Sequence, residues 1–470
     1  MSDHDEVVWG SALELAARIR QKAISPVEVI EAVLARIEAV NPRLNAYCLV
    51  AADQARAAAR DAEVAVMKGE PLGPLHGVPV SLKDMIYTRG LRTTGGSRLF
   101  ADLVPEQDAV AVLRLKAAGA IVLGKTTTSE FGHKAVTDSP LFGITRNPWD
   151  LTRTPGGSSG GAGAAVASGL GPIALGGDGG GSIRIPASFC GLFGFKPSYG
   201  LVPEFPGFPG WDHVSHTGPL TRTVRDAAAV LEVIAGTDDR DRTSLPGAAG
   251  SYLEACERDV RGLHVAWSAD LGYARVDPVV QALCENAAAE FESLGCHVEV
   301  VNPLWESLEE PFSTMIAAQF HAAWADQVAE HEADVDPTFA KFVARGATVT
   351  AREYLLARAK LQEFWQEAIA FLARFDLLLT PTTAVLPFAA DAKPPREIQG
   401  ERVSVLGWMP FTYPFNLTGQ PAASLPAGWT AENLPVGVQI VGQRHADATV
   451  LAACAAYEAA CPWRERRPAV

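Results

Sequence analysis

The sequence predicts an α/β fold in which a β-sheet is covered by helices on both faces. Three observations carry this. The chain has 470 residues, enough for a large core, and its 48% apolar and 20% charged content is ordinary for a globular protein. Short, apolar, β-branched runs alternate with segments whose apolar residues recur at helical spacing. Glycine turns separate the two kinds of segment, the pattern of strands and helices feeding one layered core.

Residues 11–70 read as helices. In "SALELAARIRQKAISPVEVIEAVLARIEAV", Ala, Leu, Ile and Val recur at helical spacing, and Pro26 opens a second helix with Ser25 as its N-cap. "AYCLVAADQARAAARDAEVAVMKG" reads as a further helix closed by Gly69. "GVPVSLKD" (77–84) is a buried strand. "AVAVLRLKAAGAIVLGKT" (109–126) is helix, glycine turn, strand, and "AGAAVASGLGPIALGGD" repeats that order. "LTRTVRDAAAVLEVIAG" is a helix, "LHVAWSADLG" starts with a strand, and "FDLLLTPT" (375–382) is another. Residues 305–375 are nearly all helical and rich in aromatics. They are expected to be one side of a single domain spanning 1–470, and to shape the substrate site.

Acidic residues exceed basic ones, 54 against 40, for a formal net charge of −14. This argues against nucleic-acid and anionic-membrane partners. Seven scattered cysteines form no CxxC, which fits reduced thiols better than disulfides or zinc. The N-terminus "MSDHDEVVWG" is acidic and lacks an apolar signal core. No apolar run reaches the ~18–20 residues of a membrane span. A cytoplasmic location is expected.

Two short motifs point to chemistry that their context does not support. "GAIVLGKT" (119–126) fits the P-loop pattern, but residues 120–123 are apolar and read as the strand itself, so Gly119 precedes the strand. "GGSSGG" (156–161) matches a nucleophile elbow, but the preceding "NPWDLTRTP" is turn-forming rather than a strand. The ten histidines, including His76, His213 and His216, show no metal-binding spacing, and no metal or cofactor is called for.

"GGDGGGSIR" (176–184) poses the sharper question. Backbone N–H groups are good donors to a developing oxyanion, and a glycine run lets them approach a substrate carbonyl. Gly179, Gly180 and Gly181 meet that condition, and Ser182 follows where a nucleophile would stand. A tight turn with a serine capping the next helix fits these residues equally well. A serine nucleophile needs a base. Lys83, at the end of an apolar strand, qualifies if burial keeps it neutral. A surface lysine, or one paired with Asp84, is the plainer reading.

Taken together, these segments resemble the amidase signature enzymes, hydrolases built on a Ser–cisSer–Lys triad. The resemblance covers nearly the whole chain, through "GPLHGVPVSLKD", "AGAIVLGKTTTSEF", "TRNPWDLTRTPGGSSGGAGAAVASGL", "ALGGDGGGSIRIPASFCGLFGFKPSYGLV" and "NLTGQPAASLP". It implies the amidase signature fold, with a large mixed, mostly parallel, twisted sheet as its core. It implies Lys83 as base, Ser158 as bridging serine after a cis Gly157–Ser158 peptide, and Ser182 as nucleophile. The N–H groups of Gly179, Gly180, Gly181 and Ser182 would form the oxyanion hole, supported by Ser159, Asp178 and Arg184. Gly177 and Gly179 depart from the commoner family form, which carries side chains there, and are expected to widen or loosen the oxyanion region.

The implied activity is hydrolysis of small amides through an acyl-enzyme, with esters and carbamates (urethanes) as chemically related substrates. Phe131, Phe205, Phe208, Trp211 and Trp408 are candidates to line an apolar pocket for aryl or acyl amides. Two alternatives stand beside this reading. One is the glutamine-dependent amidotransferase A-type subunit, whose "GGSIRQPA" and "SLDQIGP" are replaced here by "GGSIRIPA" and "WDHVSHTGP". The other is a nucleotide-binding protein resting on residues 119–126. The expected partner is a small-molecule substrate, with the chain a monomer or homodimer.

Overall fold

The computed structural model describes residues 3–247 and 250–470. In chain order the strands are β1 (Tyr47–Val50), β2 (Pro79–Lys83), β3 (Ile121–Thr126), β4 (Asp138–Ser139), β5 (Gly143–Ile144), β6 (Ile173–Gly177), β7 (Phe193–Lys196) and β8 (Thr217–Thr221). They continue with β9 (His264–Trp267), β10 (His297–Val300), β11 (Leu377–Pro381), β12 (Glu397–Ile398), β13 (Glu401–Arg402), β14 (Ala422–Trp429) and β15 (Pro435–Gly442).

Eleven of these form one mixed sheet in the order β1-β3-β2-β6-β8-β7-β14-β15-β11-β9-β10. Strands β3, β2 and β6 pair in parallel, as do β11, β9 and β10. The expectation of parallel pairing holds for these two runs. Between them, from β6 to β11, neighbours pair antiparallel. β14 and β15 follow one another with a short connection, which suits an antiparallel hairpin, whereas the parallel β2–β3 and β9–β10 pairs are each joined through a helix.

Strands β2, β11 and β15 are buried along their whole length. This is why their sequences are mostly apolar on both faces, with Ser81, Lys83, Thr380 and Gln439 as the polar exceptions. Two helix ends fall where the sequence places them, whereas Leu220 and Thr221, read as helical, end strand β8 and the helix there starts at Val224. Ser25 caps Pro26–Leu44, and Gly69 closes Ala52–Lys68 with φ +70°. A second expectation also fails: "YCLV" is strand β1, paired antiparallel with β3, not the start of a helix. Its short apolar run is ambiguous by periodicity, and the edge of β3 decides it.

The helical stretch is realised as Glu309–Glu330, Pro337–Gly346 and Ala351–Leu372. Its buried Phe320, Phe339 and Phe364 belong to the same apolar cluster as strand residues Leu82 and Leu379. Gly124, Lys125 and Thr126 lie inside β3, and Lys125 Nζ donates to the Ile86 carbonyl and to Thr88 Oγ1. That segment is a strand with a satisfied buried lysine, not a phosphate loop. Among the described residues no helix is long and apolar enough to cross a membrane.

Candidate active site

Parallel neighbours bring their C-terminal ends to one edge of a sheet, where loops can converge. β2 ends in Lys83 and β6 ends in Gly177, with Leu82 opposite Leu175. Lys83 is 2% exposed, and its Nζ lies 2.7 Å from Ser158 Oγ. It also donates to the Gly177 carbonyl at 3.3 Å. The plainer readings of Lys83, a surface residue or a partner of Asp84, do not hold. Asp84 turns away to accept from Thr94 N–H at 3.1 Å and from the Thr94 hydroxyl.

The Gly157–Ser158 peptide is cis. Thr137 fixes this turn, its hydroxyl donating to Gly156 O at 2.8 Å and accepting from Gly160 N–H at 3.0 Å. Ser159 binds the end of β6, its hydroxyl donating to Gly177 O at 3.1 Å, and its N–H donates to Ser182 O at 3.2 Å.

The loop after β6 is held by Asp178, which accepts from Gly181 N–H at 2.7 Å and from Ile183 N–H at 3.1 Å. Arg184 pairs with it through Nε at 3.0 Å and a terminal nitrogen at 2.9 Å, both side chains fully buried. Burial by itself would raise the Asp178 carboxyl, but Arg184, Asn416 and Lys196 hold it well below the ordinary range. The guanidinium in turn reaches Gln439 Oε1 at 2.7 Å and Thr412 O at 2.9 Å. Thr412 Oγ1 donates to Gly180 O at 2.7 Å.

This geometry narrows the expected oxyanion hole. The Gly181 N–H is already donated to Asp178, so it serves the loop rather than a substrate. The N–H groups of Gly179, Gly180 and Ser182 donate to no acceptor among the described residues. Gly181, at φ +123°, has a conformation that favours glycine. The expected widening at Gly179 is also corrected. A Cβ there would lie 2.5 Å from the Trp211 ring, so the indole occupies the space that a side chain would take.

Lys83, Ser158, Gly179 and Ser182 open on one cavity of about 690 Å³. Phe205, Phe208 and Trp211 line it, as the sequence suggests. Phe131 does not line it: its ring is fully buried and stacked on Trp324 at 4.2 Å. Its carbonyl accepts from Trp211 Nε1 at 2.9 Å and so anchors the wall from behind. Trp408 lies elsewhere in the core, 5.3 Å from Phe388 between ring centroids. The sequence reading missed Met85, Ile86, Ala109, Tyr199 and Glu204, which also line the cavity. Met85 and Ile86 directly follow Lys83, and that adjacency was the available signal.

Lys83 is the one group whose chemistry the burial changes most usefully. Removal from water disfavours the ammonium and lowers it to about 7, against the opposing pull of Asp178 and Glu204. The result is an amine that is about half neutral at pH 7, touching the Ser158 hydroxyl.

A family model for amidases matches residues 28–451. An acylamidase from Rhodococcus erythropolis is 40% identical over 465 residues, covering 98% of this chain and 97% of that protein. The A-type subunit of a glutamyl-tRNA(Gln) amidotransferase from Moorella thermoacetica is 37% identical, covering 98% of this chain and 99% of the other. Among solved structures, a bacterial aryl acylamidase of the amidase signature enzymes superposes with a TM-score of 0.91 at 36% identity, covering 97% of each chain.

Proposed function

Since the chain belongs to the amidase family of amidase signature enzymes and hydrolyses C–N amide bonds, we propose that Lys83, Ser158 and Ser182 perform that reaction. The observation that carries the proposal is the 2.7 Å contact between Ser158 and a buried Lys83 whose ammonium burial has weakened.

Neutral Lys83 takes the proton of Ser158 as Ser158 takes that of Ser182. Ser182 Oγ attacks the amide carbonyl, and the oxygen's charge is received by the N–H groups of Gly179, Gly180 and Ser182. The lysine proton returns through Ser158 to the leaving nitrogen as the C–N bond breaks. Water then attacks the acyl-enzyme by the same relay in reverse, releasing acid and restoring Ser182. The Ser182 hydroxyl makes no hydrogen bond among the described residues, and the relay requires its link to Ser158 to form in the substrate complex.

The substrate class proposed is an amide with an apolar or aryl group, set against Phe205, Phe208 and Trp211. The same carbonyl chemistry extends to esters and carbamates. The helices of 305–375 shape this wall from behind, with Phe320 edge-on to Trp211 at 5.2 Å. A cytoplasmic location for a monomer or homodimer completes the proposal. A stand-alone hydrolase is favoured over the amidotransferase reading by Ile185. It is fully buried, an apolar side chain where that family carries glutamine.

A panel of anilides, short aliphatic amides, aryl carbamates and glutamine tests the reading, with anilides expected to give the highest kcat/KM. Preference for small aliphatic amides would refute the aromatic wall, and dominant glutaminase activity would refute the stand-alone hydrolase. The pH dependence follows from Lys83. Protonated lysine cannot accept, so kcat/KM is expected to fall as pH drops through about 7 and to lose about tenfold per unit below it. A rate that stays level down to about pH 4 removes Lys83 as the base.

A further inference from the structure

Lys83 has no carboxylate within ion-pair distance among the described residues; its hydrogen bonds are to Ser158 and Gly177. Its proton affinity is therefore set by charges that face it without touching it. Just past its own strand, Asp84 turns toward Thr94 and lies beside Lys125. Beyond β6, Asp178 is matched by Arg184. At the start of β8, His216 is kept neutral by burial. On the Ser158 side, Glu130 is turned away, accepting from Ser97 Oγ at 2.6 Å and Asp336 N–H at 2.6 Å.

The cavity wall supplies Glu204, Asp212, His213, Arg240, Asp241 and Arg242. Arg240 is paired with Asp238 at 2.8 Å. Asp241 accepts from Thr243 N–H at 2.9 Å and from Glu204 N–H at 2.9 Å, so its charge is spent on shaping its own loop. Asp212, His213 and Arg242 are exposed. Glu204 is exposed as well, but it differs from them in being tied back to the sheet. Its Oε1 accepts from Thr217 Oγ1 at 2.9 Å, and Thr217 stands opposite Gly177 in the β6–β8 register. Gly177 is the residue whose carbonyl receives Lys83. Glu204 has no cationic partner within ion-pair distance.

We propose that Glu204 is a positioning residue for the reaction, its carboxylate held by Thr217 across from Gly177 so that it faces the Lys83 amine and strengthens it as a base. The proposal rests on the reading that Lys83 is the base. The physical argument is direct. Burial alone weakens a lysine as a proton acceptor, and a nearby unpaired negative charge restores part of that strength by stabilising the ammonium. A base matched to the working pH transfers protons more effectively than one pushed far below it. The influence is mutual: desolvation on the cavity side raises the Glu204 carboxyl, while hydrogen bonds from Ser215 and Thr217 and then the charge of Lys83 pull it down.

The test is kcat/KM against pH for wild type, Glu204→Gln, Glu204→Asp and Lys83→Ala with one anilide, alongside the pH dependence of inactivation by a sulfonyl fluoride. Glu204→Gln is expected to move the acidic limb to lower pH by roughly half a unit or more, since an ammonium loses a facing charge. Glu204→Asp is expected to restore the limb toward wild type. A role confined to loop structure lowers the rate at every pH and leaves the midpoint in place. An unmoved midpoint in both readouts, with Lys83→Ala inactive, overturns the role of Glu204 alone. Wild-type rates in Lys83→Ala overturn the reading beneath it.

Discussion

Replacing Ser182 with alanine is expected to lower kcat/KM by about 10⁴-fold or more, with the fold unchanged. The alcohol is the atom to which the acyl group is transferred, so its loss removes the covalent path, not one contribution among several. The N–H groups of Gly179 and Gly180 remain and leave a small residual rate. The fold should tolerate the change because the Ser182 side chain makes no hydrogen bond among the described residues, while its carbonyl keeps the bond from Ser159 N–H. Steady-state kinetics beside a thermal melt checks both halves. A folded Ser182→Ala protein with activity within tenfold of wild type would place the chemistry elsewhere.

The largest expected effect on stability is at Asp178. Asp178→Ala removes the acceptor for Gly181 and Ile183 N–H and strands a fully buried Arg184 without its counter-charge. Breaking one side of a buried pair destabilises by about 3–5 kcal/mol. The same change frees the loop that carries Gly179, Gly180 and Ser182, so activity should fall beyond what partial unfolding explains. Asp178→Asn keeps the shape but turns an amide donor toward the donors of Gly181 and Arg184, and is expected to lie between wild type and alanine. Thermal midpoints, with kcat measured well below them, separate the two effects. An Asp178→Ala protein as stable and active as wild type would show that the ion pair does not hold the loop.

Much of this was legible in the sequence for identifiable reasons. β2, β6 and β11 are short runs of buried apolar residues, and such runs announce themselves. The helix start at Ser25 carries a capping residue that satisfies backbone donors locally. The glycine–serine block stands out because few structures need so bare a backbone.

What the sequence hid depends on contacts between distant segments. β1 is a strand because the edge of β3 accepts it, a fact outside its own four residues. Phe131 and Trp408 have the composition of pocket residues, yet Trp324 claims one and Phe388 the other. Gly179 suggested open space, which the Trp211 ring fills from 32 residues away. Gly181 reads as an oxyanion donor until Asp178 is seen to hold its N–H. Composition names the kinds of residue a site needs; packing decides which of them face it.

The most direct measurement is to trap the acyl-enzyme. An aryl carbamate that carbamoylates quickly and is released slowly should add its carbamoyl mass to the intact protein, and peptide mapping should place that mass on Ser182. Lys83→Ala should slow the labelling by orders of magnitude. Turnover of the carbamate without any adduct, an adduct on another residue, or labelling of Lys83→Ala at the wild-type rate would contradict a lysine-driven serine nucleophile.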